Sequence, residues 1–295
     1  MRYIKLGEGG AWLRECLQAD QLLFQDLVPH EVAAGGDWDT ARRLYGDDDR
    51  AQIGNDLREI RDFYKQPTDC LWITFGQGRL WWAFAEAEVT MRADGVRVRK
   101  TLKPWSCQDR AGRELLISDL STSLTQTASY RRTICSVAAE AYLLRRLNAE
   151  ADPLVERAEG LTADLTAVAG EMIAGLHWRD FEVLVDLIFS RSGWRRIAAV
   201  GGSGQPDSDL ILQQAVTGER AFVQIKSKAT AATLRDYLAR FEAYPDMDRF
   251  FFACHSPAGR LEGPVDARVR LWLRPELAAQ AMEAGLTGWL MDKRR

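Results

Sequence analysis

Apolar positions follow three spacings along this chain, and each predicts its own kind of element. Near the start, short alternating runs bounded by turn residues predict strands over residues 2–6, 69–75, 79–89 and 96–102. The middle two are joined at Gly76-Gln77-Gly78, a hairpin signal. Helical spacing predicts helices over 12–17, 39–45 and 56–64, the last with Leu57, Ile60 and Phe63-Tyr64 on one stripe, and residues 129–137 lead into another over 139–147. Residues 148–160, which contain Asp152-Pro153, read as a linker, after which Leu161, Leu165, Val168, Met172 and Leu176 repeat at helical spacing. That helix either spaces two domains or packs on the second.

Beyond it the pattern changes. Phe181, Leu184-Val185 and Ile188-Phe189 form a core-facing helical stripe, with Glu182 left at its edge. Strands are predicted over 195–200, 210–212, 221–226, 249–255 and 269–273, and helices over 233–244 and 275–285. Continuous apolar residues at 249–255 predict a strand buried on both faces. The expected architecture is an α+β domain over 1–147, a linker and helix over 148–176, and an α/β domain with a mixed sheet over 177–295.

Composition narrows the function classes. A chain of 295 residues with a net charge of −3 has no bulk attraction for nucleic acid or anionic membranes, so any such binding comes from local patches. Five scattered cysteines without a CxxC pair predict reduced thiols rather than a zinc site. Without a signal-peptide pattern or an apolar run near ~20 residues, the chain is expected to be cytoplasmic, with no membrane partner.

Candidate chemistry lies between Gly201 and Lys226. If Thr217-Gly218 centres a two-residue hairpin turn, Asp209 falls opposite Lys226 and Gln224 opposite Ile211. Asp209, Ile211, Gln224 and Lys226 then share one face, and Leu210, Val223 and Ile225 the other. A carboxylate, an amide and an ammonium at one end of a hairpin suit metal-assisted phosphodiester cleavage: the cation neutralises the phosphate and acidifies a water, and the ammonium steadies developing charge.

Phe181-Glu182 on a helix, Gly193-Trp194, a Gly-Ser-Gly loop ending in Asp209-Leu210, and Val223-Gln224-Ile225-Lys226 together resemble the Mrr-type catalytic domain of the PD-(D/E)xK restriction endonuclease superfamily. The resemblance implies Asp209, Glu182, Gln224 and the main-chain carbonyl of Ile225 around Mg2+ or Mn2+, with Lys226 as the catalytic lysine. Here the loop reads Gly204-Gln205-Pro206-Asp207-Ser208-Asp209, without the family's usual Gly-Asp-Gly-Gly. Asp207 is the alternative acid, but in this register it lies opposite Lys228, beyond the site.

The N-terminal part resembles the PUA-like superfamily of EVE, YTH and SRA-like readers, barrels that hold a flipped-out, often modified base. Tyr3-Ile4-Lys5-Leu6-Gly7, Trp72-Ile73-Thr74-Phe75, Leu80-Trp81-Trp82 and Tyr130-Arg131-Arg132-Thr133-Ile134-Cys135 carry that resemblance. A flipped base is held by aromatic walls and hydrogen bonds to its edge, and Trp38, Trp82 and Trp105 are the candidate walls; core or lid positions are the plainer alternative. Arg97, Arg99, Lys100 and Lys103 fall in a locally basic stretch that could track a DNA backbone, or simply be a solvated charged hairpin. Gly46-Asp47-Asp48-Asp49 reads as a turn or cap.

Together these readings describe a modification-dependent, type IV-like endonuclease acting as a homodimer on DNA with modified cytosine. Two alternatives stay open: an inactive nucleic-acid-binding protein on a nuclease fold, and an RNA-directed reader-nuclease.

Overall fold

The computed structural model describes residues 1–46, 50–198, 209–264 and 266–295, which divide into two compact units, Met1–Asp152 and Pro153–Arg295. Asp207, the Gly201–Ser208 part of the loop and the Asp47–Asp49 run lie outside the described residues.

The first unit contains β1 (Arg2–Ile4), α1 (Leu13–Gln18), β2 (Gln21–Phe24), α2 (His30–Gly35), α3 (Trp38–Leu44), α4 (Arg50–Lys65), β3 (Leu71–Gly76), β4 (Arg79–Phe84), β5 (Thr90–Met91), β6 (Arg97–Lys100), α5 (Thr122–Thr125), β7 (Ile134–Ser136) and α6 (Glu140–Asn148). One sheet runs β4-β3-β1-β7 and a second runs β2-β6-β5. Residue alternation sorts the first sheet into two apolar layers: Ile4 and Trp72 pack with Phe63 and Leu22, whereas Tyr3 and Ile73 pack with Leu80 and Leu143. The end of β4 meets the end of β6 through an isolated antiparallel bridge between Ala85 and Thr101, and no closed barrel is seen among the described residues.

The second unit contains α7 (Pro153–Ala174), α8 (Trp178–Arg191), β8 (Trp194–Ala198), β9 (Leu210–Gln214), β10 (Arg220–Lys226), α9 (Ala231–Glu242), β11 (Arg249–Cys254), β12 (Val269–Trp272), α10 (Arg274–Glu283) and α11 (Thr287–Asp292). Its sheet runs β12-β11-β10-β9-β8, antiparallel from β8 to β10 and parallel from β10 to β12. β11 explains why parallel strands read as unbroken apolar runs. Phe250 and Phe252 pack towards Leu234 and Phe241 of α9, while Phe251 packs towards Phe189 of α8. Burying both faces of this strand is a large part of what holds the unit together, at ~25 cal/mol for each Å² of apolar surface removed from water.

The expected linker is not a loop throughout, because α7 begins at Pro153, where proline's fixed φ suits a first helical turn. Its buried positions are Ala169, Gly170 and Ile173, whereas Leu161, Leu165 and Val168 are exposed. Gly170 matters sterically: a Cβ there would stand 3.3 Å from Cγ of Arg274 and 3.7 Å from Cβ of Ala278, so its absence lets α7 approach α10 closely.

Candidate active site

The site begins with a register. Leu210 pairs with Val223, Ile211 with Phe222, Leu212 with Ala221 and Gln213 with Arg220. Relative to a two-residue turn, the pairing slides by two positions because residues 215–219 form a wider loop, with Gln214 N–H donating to the Glu219 carbonyl at 2.8 Å. Gln224, rather than Lys226, therefore stands against Asp209. An even slide leaves every side chain on its expected face: Ile211 and Phe222 join the α9 side, and Leu210, Val223 and Ile225 the α8 side.

Asp209 is anchored at the mouth of the hairpin. Its main-chain N–H donates to the Val223 carbonyl at 3.1 Å, and its Oδ2 accepts the Ile225 main-chain N–H at 2.7 Å and the side-chain amide of Gln224. Lys226 Nζ lies 4.0 Å from the same Oδ2 and 5.4 Å from the centre of the Tyr237 ring on α9. Gln224 is 1% exposed, so its amide has to be satisfied inside the protein, and Asp209 does this. The sheet thus brings Asp209, Gln224 and Lys226 together.

Glu182 arrives from α8. His177 caps that helix by accepting the Arg179 N–H, and Phe181 turns inward. Burial raises the Glu182 carboxyl above the usual carboxylate range, and the Asp209 charge raises it further, against Lys226, Arg179 and Arg196. Burial likewise raises Asp209, against the Ile225 N–H, Lys226 and Gln224. Two partly buried carboxylates within electrostatic reach of each other favour a bound cation.

No group of three or more His, Cys, Asp or Glu side chains is assembled for a metal among the described residues. What is present is a pair of carboxylates, Asp209 and Glu182, within electrostatic reach of each other, and carboxylate oxygens are hard donors of the kind that Mg2+ and Mn2+ take.

Residues 173–249 match the family model Mrr_cat, restriction endonuclease. Glu182, Asp209, Gln224 and Lys226 all fall within the matched span, and nuclease domains of this type hydrolyse DNA with divalent cations. Among solved structures the chain is similar to the DNA modification-dependent restriction endonuclease AspBHI, with 12% identity over 93% of this chain and 80% of that one and a TM-score of 0.29. No curated protein matches the sequence.

In the N-terminal unit the expected base walls and phosphate contacts largely become structure. Trp105 is 6% exposed, a core residue whose indole N–H donates to the Gln21 carbonyl at 3.2 Å. Trp38 starts α3 after the Asp37 cap and lies against the core, with the Arg61 guanidinium 5.2 Å from its ring. Trp82 is half-buried in the other apolar layer and donates to the Gln108 carbonyl at 2.9 Å. The three tryptophans are thus spread over two layers rather than gathered as the walls of one cage.

Arg97 and Arg99 are corrected too. Arg97 donates to the carbonyls of Asp26 and Val28, and Arg99 to those of Glu86, Phe63 and Gln66. At 4% and 0% exposure their guanidiniums tie carbonyls inside the fold and are not presented to a phosphate. Lys100 and Lys103 are exposed.

Sequence reasoning missed two neighbouring cavities of about 270 Å³ each that share Lys5 and Gly9. One is lined by Lys5, the Gly7–Gly9 turn, Trp12, Gln25 and Arg131–Thr133. Gly7 is required there: its φ is 81°, and a Cβ would stand 3.0 Å from Trp12 Cγ. The Gly7-Glu8-Gly9-Gly10 run was the signal available in the sequence.

Proposed function

We propose that the protein is a Mg2+-dependent endonuclease that cuts DNA near modified cytosines, with the C-terminal unit cutting and the N-terminal unit reading the base. The observation that carries the reading is Asp209, Gln224 and Lys226 meeting at one sheet end inside the span that matches a restriction endonuclease family. A divalent cation held by Asp209, Glu182, Gln224 and the Ile225 carbonyl would neutralise the scissile phosphate and acidify an attacking water. Lys226 sits at the edge of that donor set, placed to stabilise charge developing on the phosphate, and Tyr237 holds its ammonium in position. The buried Gln224 and the Ile225 N–H fix the Asp209 carboxylate before substrate arrives.

For the reader, the cavity beside Trp12 is the better candidate than the tryptophan trio. It offers one aromatic wall, polar groups for a base edge, and the cations of Lys5 and Arg131 for the flanking phosphates. Lys100 and Lys103 are exposed candidates for backbone contacts.

The deciding experiment incubates matched DNAs, unmodified or carrying 5-methylcytosine, 5-hydroxymethylcytosine or its glucosylated form, and an RNA, with Mg2+ or EDTA. Cutting of one modified DNA only, lost in EDTA and reduced by about 10²–10³ in Lys226→Ala at unchanged DNA affinity, supports the reading. Binding without cutting under every condition identifies an inactive binding protein instead, and cutting confined to RNA an RNA-directed one.

A further inference from the structure

α7 carries two apolar faces, and α10 covers only one. Ala169, Gly170 and Ile173 are buried. On another face Leu154, Ala158, Leu161, Leu165 and Val168 recur at alternating spacings of four and three, the a/d pattern of a coiled-coil seam, before Met172 packs on the core. Every residue from 153 to 165 is exposed, including Leu154 at 74%, Leu161 at 60% and Leu165 at 40%. A helical stretch of about a dozen solvent-exposed residues is marginal in water, and Gly160 weakens this one further. An apolar stripe on such a stretch calls for a partner helix.

We propose that the partner is a second copy of this chain, with α7 packed antiparallel against α7 about a two-fold axis passing between Glu159 and Gly160. In that alignment Leu165 of one copy packs on Leu154 of the other, and Leu161 on Ala158. Each layer then recurs on the far side of the axis, as an isologous contact requires. Large residues meet a small one at the two central layers, filling the seam without a void. The flanking positions complement as well: Arg157 of each copy falls beside Asp164 of the other, twice by symmetry, and Val155 beside Thr162. A parallel pairing would set Ala158 against Ala158 and leave Arg157 without an acidic neighbour across the seam.

Four layers make a small contact, so the pair is weak in isolation and is strengthened when both copies hold one DNA. The inference deepens the proposed function by naming the contact through which two cutting centres reach the two strands of a duplex. Its test does not depend on cutting.

The test is sedimentation of the full chain across a concentration series, with and without DNA, and circular dichroism to confirm folding. Wild type is expected to associate to a dimer, and Leu161→Asp to weaken association at least a hundredfold. Arg157→Asp is expected to weaken it about tenfold, because two attractive pairs become repulsive. Arg157→Asp combined with Asp164→Arg is expected to restore association, since an antiparallel pairing brings the exchanged charges together again. A wild type that stays monomeric at every concentration with and without DNA overturns the proposal, and is the result expected if the chain's own N-terminal unit covers the seam. An unchanged dimer in Leu161→Asp, or no rescue by the exchanged pair, also overturns it. A sound dimer of wild type with no DNA cutting would leave the seam standing and count against the cutting function alone.

Discussion

Gln224 stands across the hairpin from Asp209 and donates its side-chain amide to Asp209 Oδ2, the same oxygen that accepts the Ile225 main-chain N–H at 2.7 Å. A neutral side chain therefore occupies the position where a second acid would add charge. With Glu182 already raised by burial and then by the Asp209 charge, a third carboxylate at 1% exposure would be strongly repelled in the absence of a cation.

The first prediction follows from that arrangement. Gln224→Glu should unfold at a temperature several degrees below wild type in EDTA and recover most of the difference in millimolar Mg2+. Wild type should itself gain stability with the cation; at a hundred times the dissociation constant the gain is about 2.7 kcal/mol, or roughly 5–10 °C for a unit of this size. Melting curves with and without the cation measure both. Absence of any Mg2+ effect on either protein would remove the metal site.

The raised carboxyls predict a pH dependence with a definite sign. Because burial lifts Asp209 and Glu182 above their unfolded values, their protonated forms favour the fold. That contribution is full below the unfolded carboxylate pKa and is lost as pH rises through the raised folded values. In EDTA at neutral pH, Asp209→Asn should therefore melt no lower than wild type, whereas on acidification wild type gains relative to the variant. Cutting should show the opposite trend, falling as pH drops through the raised values, because cation binding needs the ionised pair. Lower stability of Asp209→Asn at neutral pH, with its gap to wild type closing on acidification, would reverse the assigned direction.

Arg99 predicts a stability effect where the sequence suggested a binding one. Removing its guanidinium strands the buried carbonyl of Phe63, deprives the half-buried carbonyls of Glu86 and Gln66 of their donor, and removes a cation 5.7 Å from the Trp72 ring. Arg99→Ala should lower the stability of the N-terminal unit by about 3 kcal/mol or more. Lys100→Ala and Lys103→Ala, at exposed positions, should leave stability within about 0.5 kcal/mol. Chemical denaturation separates the two outcomes.

That contrast shows what the sequence carried and what it could not. Parity along β10 was legible because alternation is local, so Gln224 and Lys226 were assigned to the correct face without a known register. Their order opposite Asp209 was not, since it depended on whether residues 215–219 made a tight turn or a wide loop. The Phe250-Phe251-Phe252 run identified a central strand because no solvent-facing position interrupts it. Arg97 and Arg99 misled because alternation marks them polar, while their outlet is a set of main-chain carbonyls contributed from distant positions such as Phe63 and Glu86. Trp105 misled for a similar reason: Gln21, which takes its indole N–H, comes from a strand the apolar pattern did not reveal. The helix over 161–176 was legible in kind, but Leu161, Leu165 and Val168 of its apolar stripe proved exposed because small residues, Ala169 and Gly170, make the buried contact.

The cavity beside Trp12 yields the last prediction. Arg131 is exposed at its rim, so truncating it removes a cation without disturbing the core. If Arg131 meets a phosphate beside the held base, Arg131→Ala should weaken DNA binding and reduce the slope of log affinity against log salt by about one. Gly7→Ala should act on the base instead. It strains a φ of 81° and presses on Trp12, so it should narrow the ratio of affinities for modified and unmodified DNA while leaving the salt slope alone. Fluorescence anisotropy at several salt concentrations, with matched modified and unmodified duplexes, reads both quantities, and a thermal melt of each variant checks that the unit is folded. A folded Gly7→Ala protein with an unchanged affinity ratio would move the reader away from this cavity. An unchanged salt slope in Arg131→Ala would remove Arg131 from the DNA contact and leave the cavity to be judged on the ratio alone.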